Sequence, residues 1–192
     1  MLKFLSIALL SLALHAQAPV FSLDATHSKM AFKASTLLFD VPGQFDRYTV
    51  TVHGDPATLA GASVRVDLEA ASVNTQNKDR DKHLRTADFF DAAKYPRIVF
   101  ASTKIWQEGA QLMVQGDLTL HGVTRSLTLP FTAAQGLNGA GSPTWSYRAT
   151  LPLNRLDYGL GADSVAAKIS LRNAVELDLL LVGFFQAAPT KR

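Results

Sequence analysis

Apolar and polar residues alternate with period two through most of this chain, which predicts a protein built from strands. Ala62 to Ala71 sets Ala62, Val64, Val66, Leu68 and Ala70 on one face and Ser63, Arg65, Asp67 and Glu69 on the other. Lys29 to Ser35 alternates likewise, with Met30, Phe32 and Ala34 together, and Tyr48, Val50 and Val52 oppose Thr49, Thr51 and His53. Further strands are predicted at 20–23, 97–106, 111–121, 125–133 and 144–153, and within 166–182. In these, Leu118 with Leu120, Leu127 with Leu129 and Phe131, Trp145 with Tyr147, and Leu177 with Leu179 share faces. Pro42-Gly43, Gly54-Asp55-Pro56, Gln107-Glu108-Gly109 and His121-Gly122 read as turns. The Gly- and Ala-rich stretch 134–143 reads as a mobile loop, 154–163 as another loop, and 186–192 as a frayed tail.

One stretch breaks the alternation. Asp79 to Phe100 carries a charged run, Asp79-Arg80-Asp81-Lys82-His83, and then the paired rings Phe89-Phe90. Ala87 to Ala93 lacks period two and predicts a short helix or turn, and Pro96 favours an extended Tyr95 with a strand starting near Arg97. The expectation is a short helical insertion near 79–93 that lays Leu84, Phe89 and Phe90 against the mouth or edge of a β-structure. About eight strands with short turns give an all-β, antiparallel domain. Closed into a barrel, eight strands enclose just enough room for side chains or one slender ligand, and closure removes exposed edges. A two-sheet sandwich is the alternative that periodicity leaves open.

Composition narrows the setting. Lys3 followed by the apolar run Phe4 to Leu14 and by Ala16-Gln17-Ala18 reads as a secretory leader over 1–18, too short to span a bilayer. The expected domain then runs over 19–185, with no further membrane-spanning segment and a periplasmic location. The chain has no cysteine, which excludes disulfides, thiolate metal sites and a cysteine nucleophile. A net charge of +3 with interspersed signs makes nucleic acid a poor partner.

Several stretches in order resemble the YceI-like family of exported lipid-binding proteins. They are Asp24-Ala25-Thr26-His27-Ser28, Gly43-Gln44-Phe45, Ala71-Ser72-Val73-Asn74-Thr75, Arg80 to Arg85 with Asp88-Phe89-Phe90-Asp91, and Tyr95 to Phe100 with Ser102-Thr103. Gly116 to Thr124 and Asn154 to Gly159 complete the series. The resemblance implies a lipocalin-like antiparallel β-barrel, commonly a homodimer, around a long apolar tunnel. It also implies a polyisoprenoid or similar long-chain lipid, such as an isoprenoid quinone, as the ligand to bind or carry. Leu37-Leu38-Phe39-Asp40 matches no family stretch and is expected to line or gate that tunnel.

The inward faces supply candidate tunnel walls: Phe32, Val64, Val66, Leu68, Phe100, Leu118, Leu120, Leu127, Leu129, Tyr147, Leu177 and Leu179, with Phe89 and Phe90 closing one end. A prenyl chain needs little else, since each buried methylene contributes about 0.8 kcal/mol. A phosphate head group would find Arg80, Arg85 or Arg155 for bidentate contact; Arg155 also has Asp157 as an alternative partner. Catalysis is not expected. His27, His53, His83 and His121 lie in separate segments without metal-ligand spacing, so no metal or cofactor is expected. Ser28, Ser72 and Ser102 lack a nucleophile elbow, and Asp79 with Asp81 reads as solvated or ion-paired surface.

Overall fold

The computed structural model describes residues 19–55, 58–59 and 61–186; the expected leader over 1–18 and residues 187–192 lie outside them. Among the described residues, eleven strands join in one antiparallel sheet that closes on itself. They form eight long staves, because three staves are each built from two consecutive strands. The first is β1 (Val20–Leu23) with β2 (Lys29–Thr36), the second β3 (Asp40–Phe45) with β4 (Tyr48–His53), and the third β5 (Ser63–Glu69) with β6 (Val73–Asn74). Single strands make the rest: β7 (Arg97–Glu108), β8 (Gln111–Leu120), β9 (Val123–Leu137), β10 (Pro143–Asn154) and β11 (Leu171–Gln186). β11 closes the ring by pairing with β2 from Leu180↔Lys29 to Leu171↔Thr36 and with β1 from Leu23↔Gly183 to Val20↔Gln186. The fold is a closed eight-stranded antiparallel barrel.

The family-like stretches sit where staves bend. Asp24 Oδ1 accepts from the amides of Thr26 (3.0 Å) and His27 (3.3 Å), and its Oδ2 lies 2.6 Å from His27 Nδ1. Ser28 Oγ then accepts from Val182 N at 2.9 Å, so the first stave turns a corner without releasing β11. Ser72 pins the third stave at its break by donating to Glu69 O (2.7 Å) and accepting from Arg47 N (3.1 Å). Between β8 and β9, His121 (φ 52°) and Gly122 (φ 75°) make a two-residue hairpin turn, whose two positive φ values match the strand twist.

The insertion expected near 79–93 is present, with its helix earlier than its apolar end suggested. Helix α1 (Lys78–Leu84) is the charged run itself, capped by Asn77 Oδ1 accepting from Arg80 N at 3.0 Å; Ala87–Ala93 is a series of turns. Asp81 is not surface: it is 7% exposed and accepts from Thr75 N (2.8 Å) and Thr75 Oγ1 (2.6 Å).

Other expectations need correction. Pro42-Gly43 is not a turn but the middle of β3, with the hairpin turn at 37–39. Proline is tolerated there because β3 has only β2 beside it at that point, β6 reaching no further than Gln44. The stretch 134–143 is strand at both ends, as β9 and β10 pair out to Leu137↔Pro143 around a turn at 138–142. Residues 165–170 form helix α2 (Val165–Ser170), and Gln186 belongs to β11 rather than to a frayed tail.

Candidate functional site

Inward side chains of all eight staves converge on one cavity. It leaves about 180 Å³ open to the centre of a water-sized sphere, and about 1290 Å³ free of atoms when its open mouth is counted. Every described residue lining it is apolar except Arg155. Phe32, Val64, Val66, Leu68, Phe100, Leu118, Leu120, Leu127, Leu129, Leu177 and Leu179 all lie on this wall, together with Phe89 and Phe90 from the insertion. Met30, Phe45, Ile98, Phe131, Leu153, Leu160, Leu171, Val175 and Leu181 also line it, and most of these follow from the same period-two faces. Leu160 sits in a loop that carries no such signal.

Tyr147 is placed elsewhere. It lines a smaller cavity of about 50 Å³ toward the other end of the barrel, whose wall shares Val64, Phe131 and Leu181 with the main one. Its ring packs edge-on to Phe21 at 5.9 Å, and burial pushes its hydroxyl pKa up to about 12.

The insertion and the segment around α2 cap one end of the main cavity. A chain of rings runs from Phe32 to Phe45 (5.9 Å) and on to Phe90 (5.4 Å), joining the wall to the cap. Gly161 N donates to Asp88 O at 2.8 Å, so the two capping segments also hold each other. Ala34, Leu84, Phe89, Phe90, Leu153, Leu171 and Val175 line the cavity and are half-buried. β11 has a bulge beside it, between Leu171 and Val175.

The three arginines have different fates. Arg80 donates through Nε to Thr75 Oγ1 (2.7 Å) and through Nη2 to Thr75 O (2.8 Å). Arg85 donates to Ala71 O (2.7 Å) and Val73 O (2.9 Å), carbonyls left free where the third stave breaks. Both staple the insertion to the barrel, and neither lines the cavity. Arg155 does, and it is only 3% exposed. Its guanidinium donates to the carbonyls of Leu160 (2.6 Å), Arg172 (3.1 Å), Ala167 (3.3 Å) and Leu171 (3.3 Å) and to Asn173 Oδ1 (3.3 Å). It does not pair with Asp157, whose carboxylate instead accepts from Asn154 Nδ2 at 2.9 Å. A buried cation held by neutral acceptors is poorly compensated, and burial lowers its pKa. The site thus presents a long apolar wall with one cation at its capped end.

Leu37, Leu38 and Phe39, expected to line or gate the interior, are exposed outside it. Among the described residues no cluster of three or more His, Asp or Glu could hold a metal ion, and no helix is long and apolar enough to cross a membrane.

The chain is similar to known proteins in sequence and in fold. A UPF0312 protein of Vibrio cholerae is 32% identical over 178 residues, covering 88% of this chain and 92% of that protein. The crystal structure of BcnA from Burkholderia cenocepacia superposes with a TM-score of 0.76 at 28% identity, over 85% of this chain and all 100% of that one. A polyisoprenoid binding domain from Saccharophagus degradans, implicated in plant cell wall breakdown, has the same fold at a TM-score of 0.60 and 18% identity, over 90% of this chain and 99% of that one. The YceI-like domain model matches residues 21–182, nearly the whole barrel, and the chain belongs to the YceI-like family.

Proposed function

We propose that this protein binds and carries a polyisoprenoid or similar long-chain lipid in the barrel, in the periplasm, and performs no chemistry on it. The observation that carries this reading is the cavity wall, apolar throughout except for Arg155. Such a wall offers a linear hydrocarbon burial along its whole length and almost no unpaired polar group to penalise it. Family membership supports a lipid ligand, as does the ligand class that the Saccharophagus domain is named for. Arg80 and Arg85 do not line the cavity and Arg155 does, so the head-group role falls to Arg155, acting through its charge because its N–H groups already donate to Leu160, Ala167, Leu171, Arg172 and Asn173. Its charge favours an anionic or carbonyl-bearing head at the capped end. The leader at 1–18 supports export.

Equilibrium titration tests the reading. The purified protein should take up one polyprenyl phosphate or prenylated quinone per chain, and Leu118→Gln, which puts an unpaired amide on the wall, should weaken uptake at least tenfold. Uptake that ignores this substitution would move the ligand out of the barrel.

A further inference from the structure

Two apolar segments project outward at the capped end. The β2–β3 hairpin turns through Leu37, Leu38 and Phe39, which are 69%, 89% and 60% exposed. The tip is a fixed structure: Thr36 Oγ1 accepts from the amides of Leu38 (3.2 Å) and Phe39 (3.0 Å) and donates to Phe39 O (2.8 Å). Beside it, α2 is oriented against the usual rule for an amphipathic helix. Its small Ala167 faces in, under Arg155, while Val165 and Ile169, one turn apart, face out at 70% and 72% exposure. Leu37 N donates to Ser170 O at 3.1 Å, so the tip and the helix form one surface. Leu171, the next residue, pairs with Thr36 and lines the cavity, which places this surface beside the cavity's capped end.

Five large apolar side chains in one patch are not what a turn and a surface helix need for folding; turn positions favour Gly, Asn or Asp. The charges around the patch are informative. Lys33 pairs with Glu176 (3.0 Å) and Asp40 accepts from Ser35 Oγ (2.6 Å). Lys168 and Arg172 have no side-chain partner among the described residues, and they project at the C-terminal end of α2. Asp163 is the carboxylate at the other end of that helix.

We propose that this surface docks the capped end of the barrel onto an anionic phospholipid membrane. The hairpin tip and the Val165/Ile169 face enter the boundary between head groups and acyl chains, and Lys168 and Arg172 meet lipid phosphates. A second copy of the chain fits less well, because a two-fold contact on this patch gathers Lys168 and Arg172 of both copies in one interface with only Asp163 of each to offset them. The docking itself is independent of cargo. Its use, to let a lipid pass between bilayer and cavity without crossing water, rests on the carrier reading above.

Vesicle flotation tests the proposal on the purified protein. Vesicles of phosphatidylglycerol and phosphatidylethanolamine should carry it upward at low salt, and vesicles of phosphatidylcholine should carry much less. Leu38→Ser combined with Ile169→Ser should lower the bound fraction at least tenfold. Lys168→Gln and Arg172→Gln should each lower it about fivefold on anionic vesicles, with no effect on phosphatidylcholine. All four positions are exposed, and circular dichroism checks that each variant folds. Prenyl-lipid uptake from detergent should stay unchanged in all of them. Absence of the wild-type protein from floated anionic vesicles, or flotation indifferent to these substitutions, overturns docking even if the cavity takes up lipid. Failure of uptake with normal flotation overturns the carrier reading alone. A dimer in light scattering that Leu38→Ser dissociates would assign the surface to a second copy and overturn the membrane proposal.

Discussion

Gly43→Ala tests whether the wall has room behind it. Gly43 lies opposite Phe32 across the β2–β3 ladder, and a methyl there would start 2.3 Å from Phe32 Cζ and 2.8 and 2.9 Å from the two Cε atoms. Carbon atoms rest about 3.5–4.0 Å apart, so the ring must withdraw by more than about 1 Å. Phe32 is half-buried and lines the cavity, so it has empty space to withdraw into. Overpacking costs about 1–3 kcal/mol. Yielding of a ring tip puts this case at the low end, and the reduced freedom of the unfolded chain returns about 0.4–1 kcal/mol.

Gly116→Ala is the control. Its methyl would meet the Phe100 ring at 2.6 Å and also the backbone carbonyl of Ala101 at 2.4 Å. That carbonyl belongs to β7 beside the bulge at Ser102–Lys104 and cannot swing aside. The cost belongs at the upper end, about 3 kcal/mol or more. With a urea slope of about 2 kcal/mol per molar, Gly116→Ala should lower the midpoint by about 1.5 M and Gly43→Ala by less than about 0.5 M. Gly43→Ala should nonetheless weaken uptake of a long prenyl chain, because the displaced ring occupies its path. Equal urea shifts for the two variants, or Gly43→Ala with full uptake and unchanged stability, would refute the idea that Phe32 borders usable empty space.

Three further outcomes follow from single contacts. Asp81→Ala removes a buried carboxylate from two Thr75 donors and should cost about 1.5–3 kcal/mol, with lost hydrogen-exchange protection at the Thr75 amide; a smaller loss for Asp81→Asn would be consistent, and full protection in the alanine variant would not. Burial holds the Tyr147 proton to about pH 12, whereas the unfolded chain releases it near 10.0, so its contribution is intact below pH 10.0 and is lost as pH rises through about 12. The stability difference between wild type and Tyr147→Phe should therefore change only over that window, and a parallel pair of curves would contradict the assignment. Arg155→Met orphans the carbonyls of Leu160, Ala167, Leu171 and Arg172 and should open the 155–171 segment to proteolysis; a variant that resists protease like wild type would show that Arg155 is not the pin.

The strands and most of the wall were legible because one-sided burial writes itself as period two. Val64-Val66-Leu68 and Leu127-Leu129-Phe131 needed nothing more. Tyr147 shows the limit: alternation gives the side of the sheet but not the height along the barrel, and its ring falls beside the smaller cavity. Helix α2 was hidden because its large apolar residues face outward and the buried position is an alanine, so no amphipathic signal pointed to the core. The last four residues of β9 escaped for a similar reason: Ala134 to Leu137 are all exposed and held only by pairing with β10. The arginines show what charge patterning omits. Arg80 and Arg85 look like ligand contacts in sequence, yet what they answer are carbonyls freed where a stave breaks, and no sequence pattern announces those.

The central claim is that the barrel holds a long-chain lipid, and its most direct test is mass spectrometry of the protein purified from its own cells. Spectra taken under native conditions and after organic extraction should show one long-chain isoprenoid or related lipid per chain, whose mass gives the head group and length together. A protein that emerges empty and also refuses added prenyl lipids would contradict the account and return the apolar wall to ordinary core.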